Sequence, residues 1–213
     1  MNPVIKPFTC IISIALLLSA CISSTTTRKT DTTTTVTTHI TRAGTLPAAD
    51  WHVYKFPTEK ICVPSTWRYQ EQDDILFQAS VDEKDTDAFF AVIKKFKKDE
   101  GNFAYLKRSY AYLKSGNEGN LVTSSVINTV YENKNVYNCE FHLEKDKKKL
   151  VLYATFFEKD QYTYAITLKV PDGKNSFRQT YNNILYNFYY GDKLVFSEKD
   201  KITTGRVIDP VAW

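Results

Sequence analysis

Residues Asn135–Val170 read NVYNCEFHLEKDKKKLVLYATFFEKDQYTYAITLKV. Three runs rich in aromatic and β-branched residues are separated by the polar breaks KDKKK and KDQ. In the first run Tyr137, Cys139, Phe141 and Leu143 recur at every second position, and in the third Tyr162, Tyr164, Ile166 and Leu168 do the same. Period two is the spacing of one face of a β-strand, because successive side chains leave a strand on opposite sides. The run before them, NLVTSSVINTVYEN, ends at the break NKN and adds a fourth strand. Four strands in series with short polar connections predict an antiparallel meander.

The flanks set the rest of the pattern. ICVPSTWRY (Ile61–Tyr69) reads as a short strand stopped by Pro64, followed by a turn. DILFQASVD (Asp74–Asp82) and DAFFAVIKKF (Asp87–Phe96) read as two strands joined at EKDT. The second also carries helix-favouring alanines and lysines, but its Phe-Phe and Val-Ile pairs favour a strand. Between these strands and the meander, Phe103, Leu106, Tyr110 and Leu113 repeat at helical spacing, and Gly116 suits the stop. After the meander a second amphipathic helix is expected, with Phe177, Tyr181, Ile184, Leu185 and Phe188 on its apolar stripe and Gly191 at its end. The result is an α+β chain, a mainly antiparallel sheet flanked by at least two helices.

This order resembles the PsbP-like fold of PsbP and DcrB-type proteins. The resemblance rests on a first strand ending in Pro-x-x-Trp (Pro64 to Trp67), the helix before a four-stranded meander, and a last helix with Phe188 near its end, over roughly residues 61–190. It implies an α/β/α sandwich and a binding or assembly factor without catalysis, and it specifies no ligand. A long Thr-rich segment before the body and a tail after it depart from that pattern.

The N-terminus reads as targeting sequence. Lys6 precedes the apolar run FTCIISIALLL (Phe8–Leu18), eleven residues long, where a membrane-spanning helix needs about 20. LSAC (Leu18–Cys21) resembles the lipobox of bacterial lipoproteins, in which the cysteine thiol is alkylated by diacylglycerol, the preceding peptide is removed and the new amino group is acylated with a palmitate-type chain. Cys21 is therefore the expected lipid-attachment residue and the membrane its first partner, since two or more acyl chains hold a protein stably where one does not. Residues 22–47 contain twelve threonines and no aromatic residue, too little apolar surface to offset the entropy of ordering. The expected organisation is a signal peptide at 1–20, a Thr-rich tether at 21–47, the α+β domain at 48–195 and an unassigned tail at 196–213. No acidic run follows Cys21, which favours a periplasm-facing position in the cell envelope.

Composition narrows the chemistry. Lys and Arg total 28 against 24 Asp and Glu, a net charge of +4, which lacks the clustered basic excess of nucleic-acid binders. No G-x-S-x-G, H-E-x-x-H, P-loop or C-x-x-C occurs, so no cofactor or catalytic residue is assigned; GNEGN (Gly116–Asn120) reads as a helix-to-strand turn. His39 lies in the tether and His52 before the first predicted strand. Glu140, His142 and Glu144 share one strand face, a set that either binds a metal or forms the solvated side of the strand; with no second ligand pair, no metal is assigned. Cys62 and Cys139 are a candidate disulfide pair in an oxidising compartment, or two buried thiols packing as small hydrophobes. The lysine groups 94, 95, 97, 98 and 147–149 either meet anionic head groups or an acidic partner, or are solvated strand ends; intermixed acidic residues favour the latter. Tyr105 and Tyr112 lie beside the first helix's apolar stripe, and Tyr189 and Tyr190 follow the second helix; they read as core rim, with a tyrosine-lined groove as the alternative.

Together these features predict a lipid-anchored, non-catalytic binding or assembly module with an envelope protein as partner. An immunity-type lipoprotein that caps a toxin uses the same devices. An envelope hydrolase would need a nucleophile–base pair in a cleft, and three histidines leave few ways to build one.

Overall fold

The computed structural model describes residues 50–173, 175–196, 202 and 205–210. The expected signal peptide at 1–20, Cys21, the expected tether with His39, and Trp213 lie outside the described residues. In chain order the elements are β1 (Trp51–Lys55), β2 (Glu59–Pro64), β3 (Arg68–Gln70), β4 (Phe77–Asp82), β5 (Asp85–Phe96), α1 (Asn102–Lys114), β6 (Asn120–Tyr131), β7 (Lys134–Lys145), β8 (Lys148–Lys159), β9 (Tyr162–Pro171), α2 (Asn175–Leu185), β10 (Tyr189–Tyr190), β11 (Lys193–Leu194) and β12 (Arg206–Ile208). Eight strands form one sheet in the order β12-β6-β7-β8-β9-β5-β4-β3, each neighbouring pair antiparallel. A smaller antiparallel sheet has the order β1-β2-β10-β11.

The meander is built as its alternation dictates. Tight two-residue turns join β6 to β7 and β7 to β8, with Glu132 (φ 48°), Asn133 (φ 61°), Asp146 (φ 50°) and Lys147 (φ 64°) all left-handed. Two consecutive residues at positive φ make a type I′ turn, whose twist matches that of the paired strands. Tyr137, Cys139, Phe141 and Leu143 of β7 all point into a core beneath α1, with Leu150, Ala154 and Phe156 of β8. Tyr164, Ile166, Leu168 and Val170 of β9 point the other way, into a larger core with Tyr181, Ile184 and Leu185 of α2 and Ile61 and Val63 of β2. The molecule is thus layered: α1, the large sheet, then α2 with the small sheet.

Four details depart from expectation. His52 lies within a strand, β1, which pairs with β2 from Trp51↔Pro64 to Lys55↔Lys60. The second helix stops at Leu185, short of Gly191. There the Asn187 side-chain amide donates to Asn183 O at 2.8 Å, occupying a carbonyl of the last turn, and Asn187 and Phe188 N–H groups donate three residues back. Phe188 is still fully buried, from the turn after the helix, and Gly191 (φ 60°) serves the β10–β11 hairpin. On α1 the buried arc is Asn102, Tyr105, Leu106, Tyr110 and Leu113. Phe103 is 39% exposed and stacks on Tyr137 at 5.3 Å, whereas Tyr105 is 2% exposed. Residues 102, 105, 106 and 113 centre on one line of the helix and 103 falls at its edge, so the sheet covers the tyrosine and leaves the phenylalanine at the rim. Finally, segment 196–213 supplies buried Phe196 and Ile202 and the strand β12, which pairs with β6.

Candidate functional site

Helix α1 lies across the large sheet with a crevice beside it. Alternation puts Leu152, Ala154 and Phe156 of β8 and Ala165, Thr167 and Lys169 of β9 on the α1 face. Ala154 and Ala165 are the smallest side chains of that floor, and the space above them is a cavity of about 50 Å³. Tyr105, Ser109, Tyr112 and Leu113 of α1 wall one side, Phe89 and Ile93 of β5 the other. Most of this lining is buried; Ser109, Tyr112, Phe89 and Leu152 are half-buried and form the mouth.

One end of the crevice is closed by charge. Lys169 Nζ donates to Glu118 Oε2 at 2.7 Å, with side chains 4% and 10% exposed. Lys169 also lies over the Phe89 ring at 4.8 Å and 4.0 Å from Asp87. Asp87 in turn accepts from Lys145 at 2.9 Å, with Lys148 at 3.8 Å. Burial alone would raise the Asp87 pKa, but the Lys145 hydrogen bond and the charges of Lys145, Lys169 and Lys148 hold its carboxyl below the usual carboxylate range. Glu118 reaches this position because the turn after α1 uses two left-handed glycines, Gly116 (φ 82°) and Gly119 (φ 108°). At Gly119 a Cβ would lie 2.8 Å from Glu144 O, so the turn sits directly on β7. GNEGN is the helix-to-strand turn expected, and its glutamate is an ionic partner that sequence reasoning passed over.

Two further charged clusters lie on the opposite layer. Glu59, 1% exposed, accepts from Tyr164 Oη at 2.5 Å and contacts Lys94 Nζ at 2.7 Å. Lys94 donates to Thr58 Oγ1 at 3.2 Å and lies 3.9 Å from the Tyr162 ring centre. Burial would raise the Glu59 pKa, but hydrogen bonds from Lys94 and Tyr164 outweigh it and the net shift is downward. Burial and the Glu59 carboxylate together push the Tyr164 phenol up. The second cluster holds His142: Nε2 is 3.0 Å from Glu140 Oε1 and Nδ1 is 3.0 Å from Asp172 Oδ2, while Arg178 of α2 pairs with Glu140. Asp172 replaces Glu144, which is exposed, as the second carboxylate on the ring. The two carboxylates occupy opposite ring nitrogens and therefore do not converge with the imidazole on one ion. Among the described residues no group of three His, Cys, Asp or Glu side chains is arranged to hold a metal.

The remaining residues singled out from sequence are scattered. Cys62 on β2 and Cys139 on β7 belong to different sheets, and both are free, buried thiols; the bridge between them is not formed. Burial pushes the Cys62 thiol up to about 11 and Cys139 well above the ordinary thiol range, so neither is poised as a thiolate. His52 is exposed on the edge strand β1 with its ring 6.4 Å from Tyr54. The lysine groups are largely engaged within the molecule. Lys95 lies over Tyr105 at 4.8 Å, Lys97 pairs with Glu158 at 2.5 Å, and Lys148 approaches Asp85 at 3.5 Å. Tyr112 lines the crevice, and Tyr105 is part of its wall.

No known protein family matches the chain, and no curated protein does. Among solved structures, it is similar to the solution structure of cyanobacterial PsbP (CyanoP) from Synechocystis sp. PCC 6803, with a TM-score of 0.50 at 10% identity over 70% of this chain and 98% of that one. A Bacteroides thetaiotaomicron VPI-5482 crystal structure matches at TM-score 0.45 and 9% identity over 68% of this chain and 49% of that chain. A Pseudomonas aeruginosa protein of unknown function, PA94, matches at 0.34 and 15% over 58% and 85%. At these identities the likeness is one of fold: the chain has a PsbP-like α+β architecture.

Proposed function

We propose that this chain is a lipid-anchored, periplasm-facing module of the cell envelope that binds or helps assemble a protein partner and catalyses no reaction. The observation that carries the binding reading is the α1 crevice, a half-open apolar recess closed at one end by an internally neutralised ion pair. The accessible wall of this recess is apolar and offers packing area. Both nitrogens of His142 are engaged by carboxylates and both thiols are buried with raised pKa values, which supports the non-catalytic reading. The anchor reading rests on the LSAC motif at the end of an eleven-residue apolar run. Diacylglycerol on Cys21 would hold the chain at a bilayer, and residues 22–47, as a coil, would reach about 28 Å at 5–6 Å × √n. Tethering of that kind raises the local concentration of a weak binder near membrane partners.

The test is affinity capture. The full chain, immobilised in detergent, is expected to retain one envelope protein in near-stoichiometric amount. Retention no greater than on an unrelated lipoprotein would contradict the reading.

A further inference from the structure

The contacts through His142 form a closed chain. Asp172 lies in the turn before α2, and Arg178 is the fourth residue of α2. Between them run Asp172 Oδ2 to His142 Nδ1 at 3.0 Å, His142 Nε2 to Glu140 Oε1 at 3.0 Å, and Glu140 Oε2 to Arg178. His142 and Glu140 both belong to β7, so this strand holds the start of the helix at two points. Asp172 is fixed from its other side as well. The Gly173 N–H donates to Oδ1 at 2.7 Å, and the Asp172 N–H donates to Lys149 O at 2.9 Å.

A neutral imidazole cannot make both ring contacts. It has one N–H and one lone pair, and the lone pair would face a carboxylate oxygen; the imidazolium donates from both nitrogens. Among the described residues no other group is bonded to the ring. The same sheet face carries Glu144 on β7, Lys149 and Tyr153 of β8 opposite Glu144 and Glu140, and Arg178 from α2. On the other flank β6 places the uncharged Thr123 and Ser125 opposite His142 and Glu140. The hydrogen bond from His142, more than any other cause, holds the Asp172 carboxyl below the usual carboxylate range. Asp172 is therefore an anion throughout the range, about pH 5 to 8, in which histidines change charge. Bonds that require an imidazolium are present at the lower end of that range and are lost as pH rises through it.

We propose that His142 is a proton-dependent latch on the start of α2: as the imidazolium it bonds Asp172 and Glu140 at once and ties the first turn of the helix to β7, and on losing one proton to solvent it releases Asp172. Glu140 is the acid that stays, because it also holds Arg178 and is the more buried, with side-chain exposures of 22% against 33% for Asp172. The remaining N–H then sits on Nε2 and donates to Glu140. The opening is local, because Tyr181, Ile184 and Leu185 further along α2 stay in the core.

Amide hydrogen exchange on the full chain in detergent reads the latch. The amides of Gln179 to Asn182 donate to the first-turn carbonyls, four residues back. Their protection, corrected for the intrinsic pH dependence of exchange, should fall about fivefold between about pH 6 and about pH 8. Nitrogen NMR of the imidazole, assigned by its loss in His142→Gln, should show both ring nitrogens protonated at the lower pH. His142→Gln should abolish the pH step. Asp172→Asn gives the sharper result. Its amide can donate to the lone pair of the neutral ring while its oxygen keeps the Gly173 N–H, so protection should stay at the closed level at both pH values. A wild-type chain without the step would overturn the proposal, as would a ring already neutral at about pH 6 with the helix start protected. A step that persists in His142→Gln, or in Asp172→Asn, would overturn it too. Should His142→Gln fail to fold, the wild-type chain and Asp172→Asn decide the matter.

Discussion

Glu59 is the residue whose burial is hardest to reconcile with its chemistry, and its neighbours resolve it. A carboxylate 1% exposed is offset by the Tyr164 hydroxyl, which donates to Oε1, and by the Lys94 ammonium 2.7 Å from the same oxygen, partners brought across 105 and 35 positions of chain. A group whose folded pKa is lowered adds stability above its unfolded pKa, and that stability is lost as pH falls through the folded value. Glu59 and Asp87 are both lowered, from reference values of 4.5 and 3.8. The melting temperature should therefore hold from neutral pH to about pH 5 and fall below about pH 4.5. Glu59→Gln should lower stability at pH 7 and flatten that acid limb; a limb as steep as wild type, read by scanning calorimetry at several pH values, would assign the acid sensitivity elsewhere. The cysteines make a second prediction at this scale. Cys62 and Cys139 are free in the fold, so alkylation in denaturant without reductant should modify both; a mass two hydrogens short with no alkylation would show them bridged.

Elements were legible in proportion to their length. Strands of ten to twelve residues such as β7, β8 and β9 carry enough alternation to be read directly, and their connections announce themselves as polar breaks. β1, β10, β11 and β12 are two to five residues long, which is too short for a period to repeat; β1, β10 and β12 each pair with a longer strand, and β11 closes a hairpin on β10. The α1 stripe was legible in Leu106, Tyr110 and Leu113 and misplaced by one flank at Phe103 and Tyr105, because which flank is covered depends on how the helix crosses the sheet. Of the four tyrosines weighed as a groove lining, Tyr105 and Tyr112 line the crevice, while Tyr189 and Tyr190 form β10 in the small sheet. The ion pair of the crevice was not legible, because Lys169 and Glu118 are 51 residues apart and nothing local marks them as partners. The turn that delivers Glu118 gives a direct test. Gly119→Ala meets both a φ of 108° and a 2.8 Å contact to Glu144 O, and should cost about 2 kcal/mol or more. Gly116→Ala has a φ of 82° and no atom near its Cβ position, and should cost about 1 kcal/mol. Equal costs in urea unfolding would mean that the approach of this turn to β7 is looser than described.

At the scale of the whole molecule, the PsbP-like body forms the recess between α1 and the large sheet, and in the proposed role the N-terminal sequence sets where it would be held. In the proposed role the tether would matter because a weak binder is made effective by being kept close to its partner. Loss of the anchor should therefore weaken function in cells while leaving the fold and its crevice intact. The most direct measurement is fractionation of cells carrying the wild-type chain or Cys21→Ala, with mass spectrometry of the N-terminal peptide. The expected result is a wild-type peptide that begins at an acylated Cys21 in the membrane fraction, and a Cys21→Ala chain that loses that modification and leaves the membrane. A Cys21→Ala chain retained on the membrane as before, or a wild-type Cys21 free of lipid, would contradict it.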